Sequence, residues 1–228
     1  MNNVIFCGYR EWAFEIFKKI SNHPNLNVVS TITSNQEFKD KSQRFDSKNI
    51  DFILFIGWSW IIEKEITQNF LCLGIHPSDL PEFRGGSPLQ HQIIQGLINS
   101  KVTLMTLSDD KIDAGDIWLK EDLYLSGDSM SDVFGNIVNS SVKLLNSFLA
   151  SYPGIKSHAQ NVESGSYYKR RKPEESKLSK EDFSNKSLKE LYNFIRSLTD
   201  PYPNAYLEDE FGNKLVFKSV NYISNLNE

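Results

Sequence analysis

The sequence predicts an α/β fold in which helices cover both faces of a mostly parallel sheet. Short apolar segments rich in β-branched residues alternate along the chain with segments whose apolar residues recur at helical spacing. This alternation is typical of parallel strands joined by helical crossovers. The chain has 228 residues, which is long enough to bury about 70% of the unfolded surface without disulfide bonds or metal ions.

The order of the predicted elements follows from the apolar pattern. Residues 3–7 form a β-prone segment that ends at Gly8, and residues 12–20 have helical spacing. Residues 34–49 are polar and predict a loop or a frayed helix. Further strands are predicted at 26–33, 53–56, 71–75 and 102–107, with 116–122 as the hairpin partner of the last. Further helices are predicted after 58–62 and at 90–98, 129–149 and 188–198.

Composition changes at about residue 156. Residues 1–156 carry the alternating pattern, whereas residues 157–180 are polar and basic and resemble a linker laid over a surface. One amphipathic helix and a terminal hairpin around 210–213 follow. The sequence therefore predicts an α/β domain at 1–156 and a small C-terminal extension of a helix plus a β-hairpin at 157–228.

Charge and hydropathy exclude several function classes. Lys and Arg number 25 against 29 Asp and Glu, for a formal net charge of −4, which disfavours bulk nucleic-acid binding. The N-terminus does not resemble a secretory signal, and no apolar segment approaches the roughly 18–20 residues of a membrane span. Cys7 and Cys72 lie in strand-like surroundings without metal-ligand spacing. We expect a cytoplasmic chain with two buried, reduced thiols, no metal and no membrane partner.

The segment most informative about chemistry begins where the fourth predicted strand ends. His76 follows that strand and opens a loop that contains three prolines and two glycines, and ligands of open α/β sheets bind at the carboxyl ends of strands. Asp113 lies 37 residues later in a tight acidic loop after another predicted strand. A crossover of that size predicts two neighbouring parallel strands with His76 and Asp113 over one cleft. Such a pair suits acyl transfer to an amine, although a structural histidine and an ordinary turn aspartate explain the residues equally simply.

Two separated sequence matches favour a catalytic pair over a structural histidine and an ordinary turn aspartate. HPSDLPEFRGGSP at 76–88 and KIDAGDI at 111–117 are followed by YYKRRKPEES at 167–176 and LYNFIRSLTDPYPNAY at 191–206. Together they resemble the folate-dependent formyltransferase family, and most closely its nucleotide-sugar N-formyltransferases. The resemblance implies a Rossmann-like catalytic domain that takes a formyl group from 10-formyltetrahydrofolate.

The resemblance also implies roles for single residues. His76 would polarise the formyl oxygen and Asp113 would orient His76 and help to take up the amine proton. The pterin would lie between residues 58–62 and 107–113, and the cofactor-binding set is Trp58, Trp60, Ile61, Leu107, Asp110 and Asp113. The tryptophans are equally plausible core residues. Ser78, Arg84 and Gly85 are expected to hold the shape of the loop, with Arg84 tying down carbonyl groups.

The acceptor implied by the resemblance is a nucleotide-linked amino-dideoxy sugar of a surface-polysaccharide or pseudaminic-acid-type pathway. A basic run beside two tyrosines predicts cations for a diphosphate and a ring that stacks on a base, although a solvated charged loop explains the run equally well. The substrate-binding set is Gln90, His91, Tyr167, Tyr168, Arg170, Arg171 and Lys172. The aromatic terminal hairpin is a possible homodimer surface.

One residue departs from the family pattern. Gly74 stands two residues before His76, where the family has an asparagine that donates to the developing oxyanion, and losing one such donor costs about 2.7–4 kcal/mol. The candidate substitutes for this donor are an ordered water beside Gly74, the side chain of Gln90 and the side chain of His91. Three alternatives follow for the chain: a methionyl-tRNA formyltransferase-like enzyme, a catalytically weak module that binds folate or nucleotide sugar, and a hydrolase that passes the formyl group to water.

Overall fold

The computed structural model describes residues 1–108 and 111–224. The strands in these ranges are β1 (Asn2–Cys7), β2 (Leu26–Ile32), β3 (Phe52–Phe55), β4 (Cys72–His76), β5 (Arg84–Gly85), β6 (Asn99–Thr106), β7 (Ile117–Tyr124), β8 (Tyr167–Tyr168), β9 (Tyr206–Glu208) and β10 (Lys214–Val216). The α-helices are α1 (Glu11–Ile20), α2 (Asn35–Ser42), α3 (Lys64–Asn69), α4 (Pro88–Ile94), α5 (Met130–Ser151), α6 (Asp182–Asn185) and α7 (Leu188–Arg196).

The central sheet has six strands in the order β2-β1-β3-β4-β6-β7. The first four are parallel to their neighbours, whereas β6 runs antiparallel to β4, and β7 runs antiparallel to β6. The predicted α/β class and the β6–β7 hairpin are therefore confirmed. The polar segment 34–49, predicted as a loop or frayed helix, contains the two-turn helix α2, which Ser34 caps by accepting from the Glu37 N–H.

Apolar side chains cover both faces of the sheet, as the continuous apolar strands require. On one face α1 and α5 pack through residues such as Ile16, Ile137 and Phe148, each almost fully buried. On the other face Phe38 of α2 and Ile66 of α3 cover Cys7 and Cys72. Both thiols are free and buried, and burial raises the pKa of Cys72 to about 12.

The C-terminal residues are tied closely to the sheet domain. They have a small core of their own, made by Leu178, Leu191, Ile195, Leu198 and Ala205. The buried Arg196 guanidinium of α7 nevertheless donates to the carbonyls of Leu125 and Gly127 at 2.8 and 3.0 Å, in the connection between β7 and α5. β9 and β10 form the predicted terminal hairpin. The domain boundary at 156/157 stays a prediction.

Candidate active site

His76 is the last residue of β4, and its side chain is buried. Its Nε2 lies 2.8 Å from the carbonyl oxygen of Phe83. A carbonyl can only accept, so Nε2 must carry a hydrogen, and the neutral ring then leaves its lone pair on Nδ1. Folding of the loop back onto His76 therefore assigns the tautomer and turns Nδ1 toward the other side of the site.

Asp113 lies on that other side. Its Oδ2 is 3.5 Å from Nδ1 of His76 and accepts the Gly85 N–H at 2.9 Å. The separation of 3.5 Å exceeds a normal hydrogen bond, while a proton on Nδ1 would make the contact an ion pair. The side chains are 7% and 17% exposed, so water screens their interaction only weakly. The two residues form a dyad able to hold one proton.

The route by which the chain joins these residues differs from the sequence prediction. A parallel crossover was expected, but β6 is antiparallel to β4, so Thr106 at the end of β6 pairs with Leu73, and His76 pairs with Thr103. The carboxyl ends of the two strands therefore lie at opposite ends of the pair. Asp113 reaches His76 because the chain after β6 turns back, with Asp113 itself in the left-handed region at φ 52°.

The predicted loop-shaping residues lie where the loop needs support. Ser78 donates from Oγ to the Glu82 carbonyl at 2.6 Å, and Arg84 donates from Nη2 to the Val162 carbonyl at 3.3 Å. Gly85 has φ 94°, and a Cβ there would lie 2.3 Å from the Tyr168 carbonyl oxygen. Only glycine fits this position without strain, which keeps its N–H on Asp113.

The space beside Gly74 is filled by a side chain. A Cβ at position 74 would lie 2.7 Å from Cδ2 of Leu107 and 3.1 Å from its Cγ. Leu107 therefore occupies the space next to Gly74, and the substitute for the family asparagine stays a prediction. Gln90 hydrogen-bonds Tyr202, and His91 contacts the Lys169 carbonyl at 3.1 Å.

The residues predicted to bind the pterin differ in accessibility. Trp58 is half-buried and packs edge-to-face on Phe38 and Phe55, each at 5.7 Å, so it belongs to the core. Trp60 is 38% exposed and Ile61 88% exposed. Asp110 lies outside the described residues. Within the described ranges, no backbone–backbone hydrogen bond involves residues 58–62, so this segment has free N–H and C=O groups for a polar heterocycle.

The two tyrosines of the predicted acceptor site differ in their surroundings. The Tyr168 ring stacks on Phe83 at 5.2 Å and on His91 at 4.6 Å, and its hydroxyl accepts from Gln95. These contacts tie Tyr168 to the fold, and its stacking on a nucleobase stays a prediction. Tyr167 is 51% exposed and keeps that possibility.

The residues of the basic run differ in their surroundings, because one of them packs on the fold and others are exposed to solvent. Arg171 donates from its backbone N–H to Ser87 at 3.1 Å, and its guanidinium lies over the Phe194 ring at 5.6 Å. Arg171 therefore anchors the segment, in contrast to the predicted phosphate contact. Arg170 and Lys172 are exposed and stay candidate ligands.

Gln90 is 3% exposed and hydrogen-bonds the Tyr202 hydroxyl. Burial raises the pKa of that hydroxyl, while Gln90 and the nearby charges of Arg10 and Arg170 act in the opposite direction. In the described part of the chain, neither arginine forms an ion pair. No sequence motif marks Arg10, which follows β1 at the same edge of the sheet.

Residues that the sequence does not mark as functional support the dyad from outside. Gln160 donates from Nε2 to the carbonyls of Asp113 and Gly115 at 3.2 and 2.6 Å. Ser166 accepts the Phe83 N–H at 2.9 Å, and Phe83 holds His76. These residues lie in the polar stretch interpreted as a linker, where no apolar periodicity marks them.

The described ranges contain neither a membrane-spanning helix nor a cluster of metal ligands. No helix there is long and apolar enough to cross a membrane. No three His, Cys, Asp or Glu side chains among the described residues are grouped to ligate a metal ion.

Comparison with known proteins places this geometry in a family. Residues 9–145 match the formyl transferase family. A methionyl-tRNA formyltransferase of Rickettsia felis is 32% identical over 93% of this chain and 78% of its own length. Among solved structures, a methionyl-tRNA formyltransferase from Clostridium thermocellum is 28% identical with a TM-score of 0.77, over 95% of this chain and 97% of that chain. A 4-N formyltransferase from Francisella tularensis is 19% identical with a TM-score of 0.75, over 98% of each chain. The chain therefore belongs to the formyl transferase family.

Proposed function

We propose that this chain transfers the formyl group of 10-formyltetrahydrofolate to the amino group of a nucleotide-linked amino-dideoxy sugar, with His76 and Asp113 as its catalytic pair. The observation that carries the proposal is the contact of 3.5 Å between Nδ1 of His76 and Oδ2 of Asp113. Formyl transfer itself follows from the family to which the chain belongs.

The exposed segment after β3 suits the donor. The backbone groups of residues 58–62 are free of backbone partners, and a pterin ring offers donors and acceptors along one edge. Trp60 and Ile61 supply apolar surface to cover its face. Leu107 adds an apolar side chain beside Gly74. Together these groups match a flat heterocycle with a polar edge.

The dyad suits the proton movements of the reaction. As the amine attacks the formyl carbon, negative charge collects on the formyl oxygen, and the amine must lose a proton. A hydrogen on Nδ1 of His76 can stabilise that oxygen, since Nε2 is committed to Phe83. Asp113, held by the Gly85 N–H, keeps the imidazole charged while the oxyanion forms, and it can then take up the proton that the amine loses.

Arg10 and Arg170 support an acceptor that carries phosphate. Both charges act on the buried Tyr202 hydroxyl, and neither has an ion-pair partner within the described residues. Guanidinium groups bind phosphate oxygens through paired N–H donors. Exposed Tyr167 offers a ring for a base.

A second candidate acceptor is methionyl-tRNA. It is favoured by the relatives of 28–32% identity, which are methionyl-tRNA formyltransferases. The net charge of −4 favours the smaller acceptor, since a tRNA backbone requires a broad basic surface.

Mass spectrometry of the acceptor decides between the two. The chain is incubated with 10-formyltetrahydrofolate and, separately, with UDP- and dTDP-linked amino sugars or methionyl-tRNA, and His76→Ala serves as the control. The proposal requires a formyl amide on at least one sugar nucleotide that His76→Ala does not form. Formylation of methionyl-tRNA alone, or release of formate without an amide, would overturn it.

A further inference from the structure

We infer that Gln160 is a positioning residue, which sets Asp113 against His76 through the backbone of the acidic loop. The inference rests on the proposed role of the dyad in formyl transfer. It concerns the segment 157–168, hereafter the strap, which the sequence presents as a polar linker.

The strap lies along the acidic loop. Ile117 and His158 exchange two backbone hydrogen bonds of 2.8 and 2.9 Å, and Ser157 donates to the Asp116 carboxylate at 3.1 Å. Gln160 then reaches the turn that contains Asp113. This docking adds to the hydrogen bond of 2.8 Å by which the Thr106 N–H of β6 holds the Asp116 carbonyl, and residues 111–115 belong to no strand.

Gln160 contacts the loop in a way that specifies its orientation. Its Nε2 donates to the carbonyls of both Asp113 and Gly115. Because both partners can only accept, the amide nitrogen must face them. Its Oε1 is buried with no hydrogen-bond partner in the described structure. A glutamine with an unpaired oxygen in this place is explained by the need for two donors rather than by solubility or packing.

The backbone held by Gln160 is unusual. Asp113 has φ 52°, and a Cβ at Gly115 would lie 1.9 Å from the Thr106 carbonyl oxygen. The turn is thus compact, and its two carbonyls converge on one amide. Fixing the Asp113 carbonyl fixes the direction of its side chain toward Gly85 and His76.

The strap also supports the opposite side of the dyad. Ser166 accepts the Phe83 N–H, and Phe83 accepts from His76. The N–H of Gly86 donates to Tyr168 at 2.8 Å, beside the Gly85 N–H that holds Asp113. One continuous segment therefore supports both residues of the dyad, and Gln160 is its direct contact with Asp113.

The test compares Gln160→Met, which keeps the length of the side chain without its donors, with Ser157→Ala. The control removes a hydrogen bond from the same strap to the same loop, but at the exposed carboxylate of Asp116. Steady-state kinetics with the acceptor found above should show a fall in kcat of about 10–100-fold for Gln160→Met. KM for donor and acceptor should stay within about threefold, because the inferred role of Gln160 is to hold the backbone of Asp113 and not to bind a substrate. Ser157→Ala should match the wild type.

A second measurement needs no acceptor and keeps the inference separate from the proposed function. The imidazole Cε1–H resonances of the four histidines are assigned with His76→Ala and recorded for each variant at one pH. The resonance of His76 should move in Gln160→Met and stay in place in Ser157→Ala, with both variants folded by circular dichroism. An unchanged His76 resonance in folded Gln160→Met, or an equal loss of kcat in Ser157→Ala, would overturn the inference. Failure of the wild type to formylate any sugar nucleotide would instead contradict the proposed function.

Discussion

Gly74 and Leu107 should behave as a coupled pair. In a strand, residues two apart face the same side of the sheet, so an asparagine at position 74 would place its carboxamide on the face that carries His76. Its Cβ would lie 2.7 Å from Cδ2 of Leu107. We expect Gly74→Asn alone to lower the free energy of unfolding by about 1–3 kcal/mol because the site is overpacked.

The double variant Gly74→Asn/Leu107→Ala relieves that contact. Its loss of stability should therefore be smaller than the sum of the single losses by about 0.5–3 kcal/mol. The new donor can add up to about 2.7–4 kcal/mol of transition-state stabilisation, so kcat of the double variant should exceed that of Leu107→Ala by as much as about 10²–10³.

Urea unfolding of the four proteins measures the coupling, and formyl-transfer kinetics measure the gain. Additive losses of stability, within about 0.5 kcal/mol, would show that Leu107 does not fill the space beside Gly74. A double variant no faster than Leu107→Ala would refute the placement of the oxyanion on this face.

Three further predictions follow from single contacts. Arg170→Ala should raise KM for a diphosphate-bearing acceptor about tenfold at unchanged KM for the donor, whereas Lys189→Ala on α7 leaves both unchanged, as steady-state kinetics will show. Tyr168→Ala removes a ring stacked on two others and should lower the free energy of unfolding in urea by about 2–4 kcal/mol. Burial raises the pKa of Cys72 from 9.0 to about 12. As the pH rises, this thiol therefore ionises in the unfolded chain before it ionises in the folded one. The free energy of unfolding should keep its full value below about pH 9 and fall as the pH rises toward 12. That alkaline loss should shrink in Cys72→Ala, measured by thermal unfolding against pH.

The sequence predicted the elements better than their directions. The order of the six sheet strands along the chain and the terminal hairpin follow from apolar patterning. The inner strands β3 and β4 are buried along their whole length, whereas β2 and β7 combine buried apolar residues with exposed ones. The direction of β6 did not follow. Helix α4 has seven residues, about 10 Å at 1.5 Å per residue, and the loop before it stays near the carboxyl end of β4. The chain therefore enters β6 from that end and runs back antiparallel to β4.

The candidate site was also predicted only in part. His76, Asp113, Ser78, Arg84 and Gly85 were predicted from their motif, and the structure brings them together. The contacts that changed the interpretation join residues distant in sequence and leave no local pattern. Tyr168 is stacked by residues 85 and 77 positions earlier, and Gln160 reaches a loop more than 40 residues before it.

The central claim is that His76 and Asp113 together deliver a formyl group from folate to the amine of a sugar nucleotide. The most direct measurement is the rate of formyl-amide formation by His76→Ala and Asp113→Asn, with folding checked by circular dichroism. We predict that each variant loses about 10²–10⁴-fold in kcat and that the double variant loses little more than either one, since the pair acts as a unit. Folded variants that form the amide at the wild-type rate would contradict the account.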